Sequence, residues 1–138
     1  MSLVTEVPAA PQAVALAHFE AMLQFETDCW DVHHTLASGT ADFVLLDVRG
    51  PAQFAAGHIP GATHLPHGKI IKSKLAHYPD DTVFVTYCAG PHCNGAARAA
   101  IRLAGLGRPV KIMPGGITGW IDEGFALQAA SNEPAQQA

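Results

Sequence analysis

The sequence TVFVTYCAGPHCNGAARAAIRLAGLG, residues 82–107, joins a strand pattern to a helix pattern through a loop that holds two cysteines. TVFVTY is a nearly continuous apolar run with β-branched residues, which is typical of a strand buried on both faces. GAARAAIRLAGLG is rich in good helix formers and ends at Gly105 or Gly107. The pattern therefore predicts that Cys88 lies at the carboxyl end of a buried strand, directly before a helix.

This placement makes Cys88 a candidate nucleophile. In open α/β sheets the active crevice lies at the carboxyl ends of the strands. A thiolate that faces successive backbone N–H groups and a helix N-terminus is stabilised relative to the thiol, so we expect the pKa of Cys88 to lie below the free value of about 8.5. The alternative, an inert buried cysteine, describes Cys29, which we expect in a strand between Asp28 and Trp30. The local context alone leaves both interpretations of Cys88 open.

The rest of the chain continues the alternation of strands and helices. Further strands are predicted by the apolar runs at 42–48, 62–66 and 109–113. Helices are predicted at 13–26, 32–38, 51–57, 68–78 and 116–124. Leu16, Phe19 and Leu23 share one side of the first helix, and Asp31 is the expected cap of the second. The alternation predicts one α/β domain with a parallel sheet covered on both faces.

Composition limits the classes of function. A chain of 138 residues with 49% hydrophobic residues is near the commonest size for one domain. The formal charge of -4, with eight scattered Lys and Arg, provides no broad cationic field, so neither nucleic acid nor a membrane is expected as a partner. No apolar run approaches the roughly 20 residues of a membrane span, and no secretory leader pattern opens the chain. We therefore expect a cytoplasmic protein whose three cysteines are reduced.

Three motifs, in order along the chain, together resemble the rhodanese-like single-domain sulfurtransferases. LLDVRGPAQFAAGHIPGATHLP, residues 45–66, is similar to the family's first signature. YCAGPHCNGA, residues 87–96, resembles its active-site loop, and MPGGITGW, residues 113–120, resembles its Gly-Gly and Trp ending. The resemblance implies a rhodanese-like α/β domain with about five parallel strands and helices on both faces.

The predicted domain organisation has three parts. Residues 1–26 form an N-terminal segment and an extra helix packed on the domain. Residues 27–128 form the rhodanese-like domain. Residues 129–138 lack an apolar pattern and are expected to form a flexible tail.

The resemblance also implies a chemistry. Cys88 would attack a small sulfane-sulfur donor, become a persulfide, and pass the outer sulfur to a thiol or cyanide acceptor, including a thiol on another protein. No cofactor and no metal takes part. By position, Asp47 and Arg49 match family residues near the site, and an Asp and an Arg at a strand end can pair, which favours support over direct catalysis. The loop expected to bind the substrate is Ala89, Gly90, Pro91, His92, Cys93 and Asn94.

The loop departs from the family's common pattern, which carries an Arg or Lys and a Ser or Thr. His92 is the only possible cation in it, and Pro91 has no N–H and leaves a gap in a ring of amides. Thiosulfate, a dianion, is therefore expected to be a poor donor compared with a neutral or smaller persulfide. If thiosulfate is preferred, we expect Arg49 or Lys69 to supply the positive charge that binds it.

Cys93 has more than one interpretation. It either fills the place of the usual small polar residue or is a second functional thiol that attacks the Cys88 persulfide, if the loop brings the pair within disulfide distance. Cys88, Cys93 and His92 could also bind zinc, but one tight loop is crowded for three ligands and the fourth is unidentified. His58 and Trp120 are expected to be structural, the indole as a core anchor.

Two other functions stay open. A non-enzymatic module that carries persulfide, or binds a partner through this loop, would also retain Cys88. The weaker alternative is the activity of the related dual-specificity phosphatases or arsenate reductases. These enzymes need an Arg that closes the loop, six residues after the Cys. Position 94 is Asn, and Arg98 is expected to lie too far into the helix.

Overall fold

The structure, a computed structural model, describes residues 1–129, so the tail predicted over 129–138 lies, but for its first residue, outside the described residues. Its helices are α1 (Gln12–Phe25), α2 (Cys29–Ala37), α3 (Pro51–Ala56), α4 (Lys72–Leu75), α5 (Gly95–Gly105) and α6 (Gly116–Asp122). Its strands are β1 (Phe43–Asp47), β2 (Thr63–His64), β3 (Val83–Tyr87) and β4 (Val110–Ile112). A short 3-10 helix, His67–Lys69, precedes α4.

The four strands form one parallel sheet in the order β2-β1-β3-β4. The central strands β1 and β3 pair along their full length, with Phe43 opposite Val83 and Asp47 opposite Tyr87. Their carboxyl ends therefore meet at the same edge of the sheet. This register brings the motif that follows β1 beside the cysteine loop that follows β3.

The α/β class is confirmed, but a fifth strand is absent from residues 1–129. The segment around Cys29, predicted as a strand, instead begins α2. Its N-cap is Asp28, whose side chain accepts a hydrogen bond from the backbone N–H of Asp31 at 2.8 Å, so the prediction that Asp31 is the cap is wrong. What remains of strand pairing here is one parallel bridge between Glu26 and Ile112.

Both faces of the sheet are covered. Successive residues of β1 and β3 point to opposite faces, because side chains alternate along a strand. On the face that carries α4 and α5, the buried core includes Leu46, Phe84, Leu75, Ala99 and Leu103. On the face that carries α2 and α6 it includes Leu45, Val85, Val32, Met113 and Trp120. Trp120 is 2% exposed, which confirms its role as a core anchor.

Two helical segments differ from the sequence expectation. α1 forms, but none of its residues is buried, and Leu16, Phe19 and Leu23 are exposed. The segment 68–78 is not one helix, because the backbone is extended at Ile70 and Ile71, between the 3-10 helix and the single turn α4. Within residues 1–129, no helix is both long and apolar enough to cross a membrane.

Candidate active site

The loop after β3 turns back on itself. Pro91 and His92 occupy the centre of a turn that closes when the N–H of Cys93 donates to the carbonyl of Gly90 at 3.0 Å. Proline is favoured at the first central position of such a turn because its φ is fixed. The reversal returns the chain toward the strand end. The Sγ atoms of Cys88 and Cys93 consequently lie 2.6 Å apart, and both residues are free cysteines.

The first residues of α6 fix the orientation of the loop's peptide groups. The N–H of Ile117 donates to the carbonyl of Cys88 at 3.2 Å, and that of Thr118 donates to the carbonyl of Ala89 at 3.0 Å. Because N–H and C=O point in opposite directions across a trans peptide unit, the N–H of Ala89 is turned away from α6 and toward the sulfurs. Gly116, with a φ of 57°, permits this approach, since a Cβ there would overlap the backbone of the loop.

A second amide comes from the start of α5. The N–H of Gly95 donates to the Sγ of Cys93 at 3.5 Å. A Cβ at position 95 would lie only 2.8 Å from the Sγ of Cys88, so the sulfur needs glycine at the beginning of this helix. We call the space between the amides of Ala89 and Gly95 the cradle. The expected gap is present, because Pro91 has no N–H and the N–H of Cys93 is used in the turn.

The pKa of Cys88 is shifted in the direction opposite to the expectation. Burial raises the pKa of Cys88 to about 11, and the contact with Cys93 adds to the rise, although the Ala89 N–H lowers it. The pKa of Cys93 is lowered, chiefly by the hydrogen bond from Cys88 and then by the N–H of Gly95. The two thiols titrate as a pair, and the opposite directions of their pKa shifts favour the first thiolate at Cys93. The prediction of a depressed pKa at Cys88 is therefore wrong for the resting dithiol.

Asp47 and Arg49 are bound to each other beside the loop. The guanidinium Nη2 of Arg49 lies 2.7 Å from the Oδ2 of Asp47 and donates to the carbonyl of Gly57 at 2.6 Å. Burial opposes the charge on Arg49, but the hydrogen bonds and charge of Asp47 outweigh it and raise the pKa of Arg49. The same Asp47 oxygen accepts from the hydroxyl of Tyr87, which accepts from the N–H of Ile59. This network favours a supporting role, because it leaves no carboxylate free for proton transfer.

Two histidines of the first motif hold the backbone near the site. His58 is 3% exposed, its Nδ1 lies 2.9 Å from the carbonyl of Phe54, and the two rings stack, which agrees with a structural role. His64 was not singled out from the sequence. Its Nε2 lies 2.8 Å from the carbonyl of Arg49, so it helps to fix the segment that carries the ion pair.

A cleft of about 680 Å³ opens over the two sulfurs. Of the predicted loop, Ala89, Cys93 and Asn94 line it, whereas Gly90, Pro91 and His92 do not. His92, the expected cation, is exposed on the outer side of the turn. The basic residues that line the cleft are Arg49, His67, Lys69 and Arg98, and no acidic residue in the described part of the chain joins them.

Arg98 and His67 are the cleft residues that the sequence analysis missed. Arg98 lies close enough to the start of α5 to line the cleft, and its Nε donates to the Oδ1 of Asn94 at 3.1 Å. Arg98 lies within α5, so it does not take the loop-closing place of a phosphatase arginine, but its side chain still reaches the cleft. The placement of Arg98 and Asn94 four positions apart on a helix end was the signal available in the sequence.

The third cysteine is separate from this site. Cys29 is buried, and its Sγ lies 3.7 Å from the carbonyl of Gly116. Burial raises the pKa of Cys29 to about 11, with the negative charges of Asp28 and Glu123 contributing. It is an inert thiol of the core, as expected. Across residues 1–129, no three or more His, Cys, Asp or Glu side chains are grouped so as to hold a metal ion.

Comparison with known proteins decides the family. The model of the Rhodanese-like domain matches residues 31–123. This chain belongs to the rhodanese-like family. The match includes the motif after β1, the cysteine loop and α6, and so covers the whole site of this rhodanese-like domain.

Individual relatives agree with this assignment. A sulfurtransferase of Allochromatium vinosum is 34% identical over 104 residues, which are 75% of this chain and 94% of that protein. An HTH-type transcriptional regulator of Mycobacterium tuberculosis is 35% identical over 89 residues, or 60% of this chain, and the matched part spans only 39% of the regulator. The crystal structure of BH2092 from Bacillus halodurans is 34% identical, with a TM-score of 0.83, and the match covers 86% of this chain and 87% of that one.

Proposed function

We propose that this rhodanese-like domain is a sulfurtransferase that carries a sulfane sulfur as a persulfide on Cys88. The observation that carries the proposal is the position of the Cys88 Sγ, which lies at the carboxyl end of β3, lines the cleft and adjoins the cradle. Membership of a family with sulfurtransferase relatives supports it. The acceptor of the outer sulfur is a thiol or cyanide.

The neighbouring thiol gives Cys88 a route to its reactive form. Attack needs the Cys88 thiolate, yet the high pKa of Cys88 disfavours it in the resting pair. The Sγ of Cys93, 2.6 Å away, accepts the proton when a donor enters. The Cys88 thiolate then forms a bond to the outer sulfur of the donor, the donor's S–S bond breaks, and its thiolate departs. Cys88 is left as a persulfide.

The loop itself favours a donor of low charge. The cradle has two amides and no fixed cation, because His92 lies outside the cleft. The cations nearest the sulfurs belong to the cleft walls, and the guanidinium of Arg49 is already paired with Asp47. The loop itself therefore offers a small persulfide the contacts that its reacting sulfur needs, whereas thiosulfate would depend on the basic residues of the cleft walls. The thiol part of the persulfide can lie in the cleft between Lys69 and Arg98.

The persulfide carrier without turnover is the alternative that the same site allows. A carrier and an enzyme both need Cys88, so retention of the cysteine does not separate them. Multiple turnovers with a small acceptor separate them, since a carrier loads once and unloads only to a particular protein. No residue of the described chain favours the phosphatase alternative, because position 94 is Asn.

The decisive experiment incubates reduced wild type, Cys88→Ser and Cys29→Ser separately with glutathione persulfide and determines the intact masses. At the earliest time points wild type and Cys29→Ser should show the gain of one sulfur atom, and with dithiothreitol added to keep the thiols reduced both should turn over with cyanide, whereas Cys88→Ser should do neither. Serine removes the thiolate chemistry with little change in volume. Sulfur loading and turnover by Cys88→Ser at the wild-type rate would refute the proposal.

We also propose the bounds of the domain in the chain and the cellular compartment of the protein. We place the rhodanese-like domain at residues 27–128, which contains the matched range 31–123. The segment 1–26 adds α1 on the β4 side, where the Nζ of Lys111 donates to the carbonyl of Leu23 at 2.7 Å. The cytoplasm, where thiols stay reduced, is the compartment that suits a dithiol site.

A further inference from the structure

The Sγ of Cys93 lies 2.6 Å from the Sγ of Cys88, the sulfur on which a persulfide would form. It is in contact with the Cys88 Sγ and receives hydrogen bonds from both cradle amides, those of Ala89 and Gly95. A persulfide places its outer sulfur next to the same Cys88 Sγ and calls for the same donors. Because Cys93 already holds this side of the Cys88 Sγ, the outer sulfur has room only on the opposite side, toward the cleft, and the bond that must break then lies in line with the Cys93 sulfur.

We propose that Cys93 displaces the sulfur from the Cys88 persulfide, releasing it as hydrosulfide and leaving a Cys88–Cys93 disulfide. This inference rests on the proposed function, because it needs the persulfide to form on Cys88. It adds a second activity to the site, the reductive release of sulfide. It also names a partner class, since an external dithiol must reduce the disulfide before the next cycle.

The step balances in atoms and electrons. The Cys93 sulfur supplies an electron pair to the Sγ of Cys88, the bond between that Sγ and the outer sulfur of the persulfide anion breaks, and the outer sulfur leaves as hydrosulfide with the proton that Cys93 accepted during loading. The outer sulfur is reduced, and the two cysteine sulfurs are oxidised to a disulfide. An external dithiol then exchanges with the disulfide, is itself oxidised, and restores both thiols.

The geometry suits attack by Cys93 without unfolding of the loop. The turn from Gly90 to Cys93 holds the attacking sulfur beside its target, and a disulfide there closes a ring of the loop itself. Cys93 is partly exposed and lines the cleft, although its side chain also packs at the edge of the core. The contacts of the Cys93 Sγ with the Cys88 Sγ and with the N–H of Gly95 go beyond what packing against the core requires.

The acidity of the pair agrees with these roles. A thiolate is the attacking species in exchange, and the pKa of Cys93 is lowered while that of Cys88 is raised. Cys93 is thus the thiol of the resting pair that ionises more easily, and the N–H groups of Gly95 and Ala89, which do not depend on the Cys88 thiol, contribute to this shift.

The test follows a single turnover. Wild type, Cys93→Ser and Cys93→Ala are loaded with glutathione persulfide, passed through a desalting column, and incubated without reductant. Released sulfide is measured over time, and peptide maps locate persulfide and disulfide. Wild type should release sulfide once, accumulate a linked 88–93 peptide, and regain activity only after dithiothreitol. Both variants lack the thiol that accepts the Cys88 proton and should load more slowly, so their loading is followed by intact mass until it is complete. They should then keep the persulfide on Cys88 and release sulfide at least about tenfold more slowly, because the attacking sulfur is gone.

Failure of this inference differs from failure of the proposed function. A wild type that keeps its persulfide, forms no linked peptide and releases sulfide no faster than Cys93→Ser overturns the inference alone. Sulfur found on Cys93 also overturns it, since Cys93 would then have attacked the outer sulfur. Absence of loading in all three proteins, with native circular dichroism, overturns the proposed function and the inference with it.

A second measurement does not depend on loading. Reduced wild type is equilibrated with mixtures of reduced and oxidised glutathione, and the linked 88–93 peptide is quantified. Cys88 and Cys93 should form the disulfide in wild type. Cys29→Ser should behave identically, because Cys29 is buried away from the cleft. Absence of any linked peptide under oxidising mixtures would overturn the inference even if the variants fold poorly.

Discussion

The hydroxyl of Tyr87 donates a 2.7 Å hydrogen bond to the carboxylate of Asp47 and joins the carboxyl ends of the two central strands. Both residues are completely buried, and the hydroxyl also accepts the N–H of Ile59. Burial, followed by the charge and hydrogen bond of Asp47, raises the pKa of Tyr87, so the phenol stays a donor at all ordinary pH values. The cysteine loop is therefore anchored at its first residue to the ion pair of the first motif.

Replacing Tyr87 with Phe should lower the free energy of unfolding by about 1–3 kcal/mol, because it leaves buried polar groups without their partner. Urea denaturation monitored by circular dichroism measures the change. Tyr78→Phe is the matched control, since the Tyr78 hydroxyl makes no hydrogen bond within residues 1–129 and that ring packs edge-on against Phe84. Equal effects of the two substitutions would contradict the anchoring role.

Gly95→Ala should reduce sulfur loading on Cys88 by at least about tenfold while the protein remains folded, because the new Cβ takes space that the sulfur needs. Loading with glutathione persulfide, followed by intact mass, gives the rate. Gly105→Ala is the control at the other end of α5, where a Cβ meets nothing within 4 Å. That variant should load normally and gain about 0.5–1 kcal/mol of stability. Normal loading by Gly95→Ala would show that the sulfur has room to move.

Iodoacetamide should modify Cys93 before Cys88 in the reduced protein. The thiolate is the form of cysteine that reacts with iodoacetamide. The lowered pKa of Cys93 makes its thiolate appear at lower pH. The pKa of Cys88, raised to about 11, makes its thiolate appear only at higher pH. The rate at Cys93 should fall as the pH drops through a midpoint below the ordinary pKa of a cysteine thiol, and Cys88 should react slowly until strongly alkaline pH. Peptide mapping after partial alkylation from pH 6 to 10 makes the measurement. Faster labelling of Cys88 at neutral pH would contradict this order.

Glutathione persulfide should exceed thiosulfate as a sulfur donor by at least about tenfold in kcat/KM, which corresponds to roughly 1.4 kcal/mol of charge-assisted bonding that the loop does not supply. Initial rates with cyanide as acceptor give the ratio. If thiosulfate were preferred, the cleft cations would be responsible. Lys69→Ala would then raise the KM for thiosulfate, whereas Lys72→Ala, outside the cleft, would leave it unchanged.

The sequence alone determined the α/β class and the position of Cys88 at a strand end. Both depend on local patterns, the buried apolar strand at 83–87 and the helix-forming run from Gly95, which stay interpretable without the rest of the chain. The pairing of Asp47 with Arg49 was also predictable, because two residues that are two apart at a strand end have few other ways to satisfy their charges.

Only the tertiary structure decided the features that depend on distant neighbours. Cys29 begins α2, directly after the helix cap Asp28. The local sequence does not reveal whether this short segment extends the pairing with β4, seen only at Glu26 and Ile112, or starts a helix. The direction of the pKa shift at Cys88 depends on burial and on where the Sγ of Cys93 lies, and neither is a property of the loop sequence. The charge in the cleft comes from Lys69 and Arg98, which only the packing of α5 beside the 3-10 helix brings to one opening.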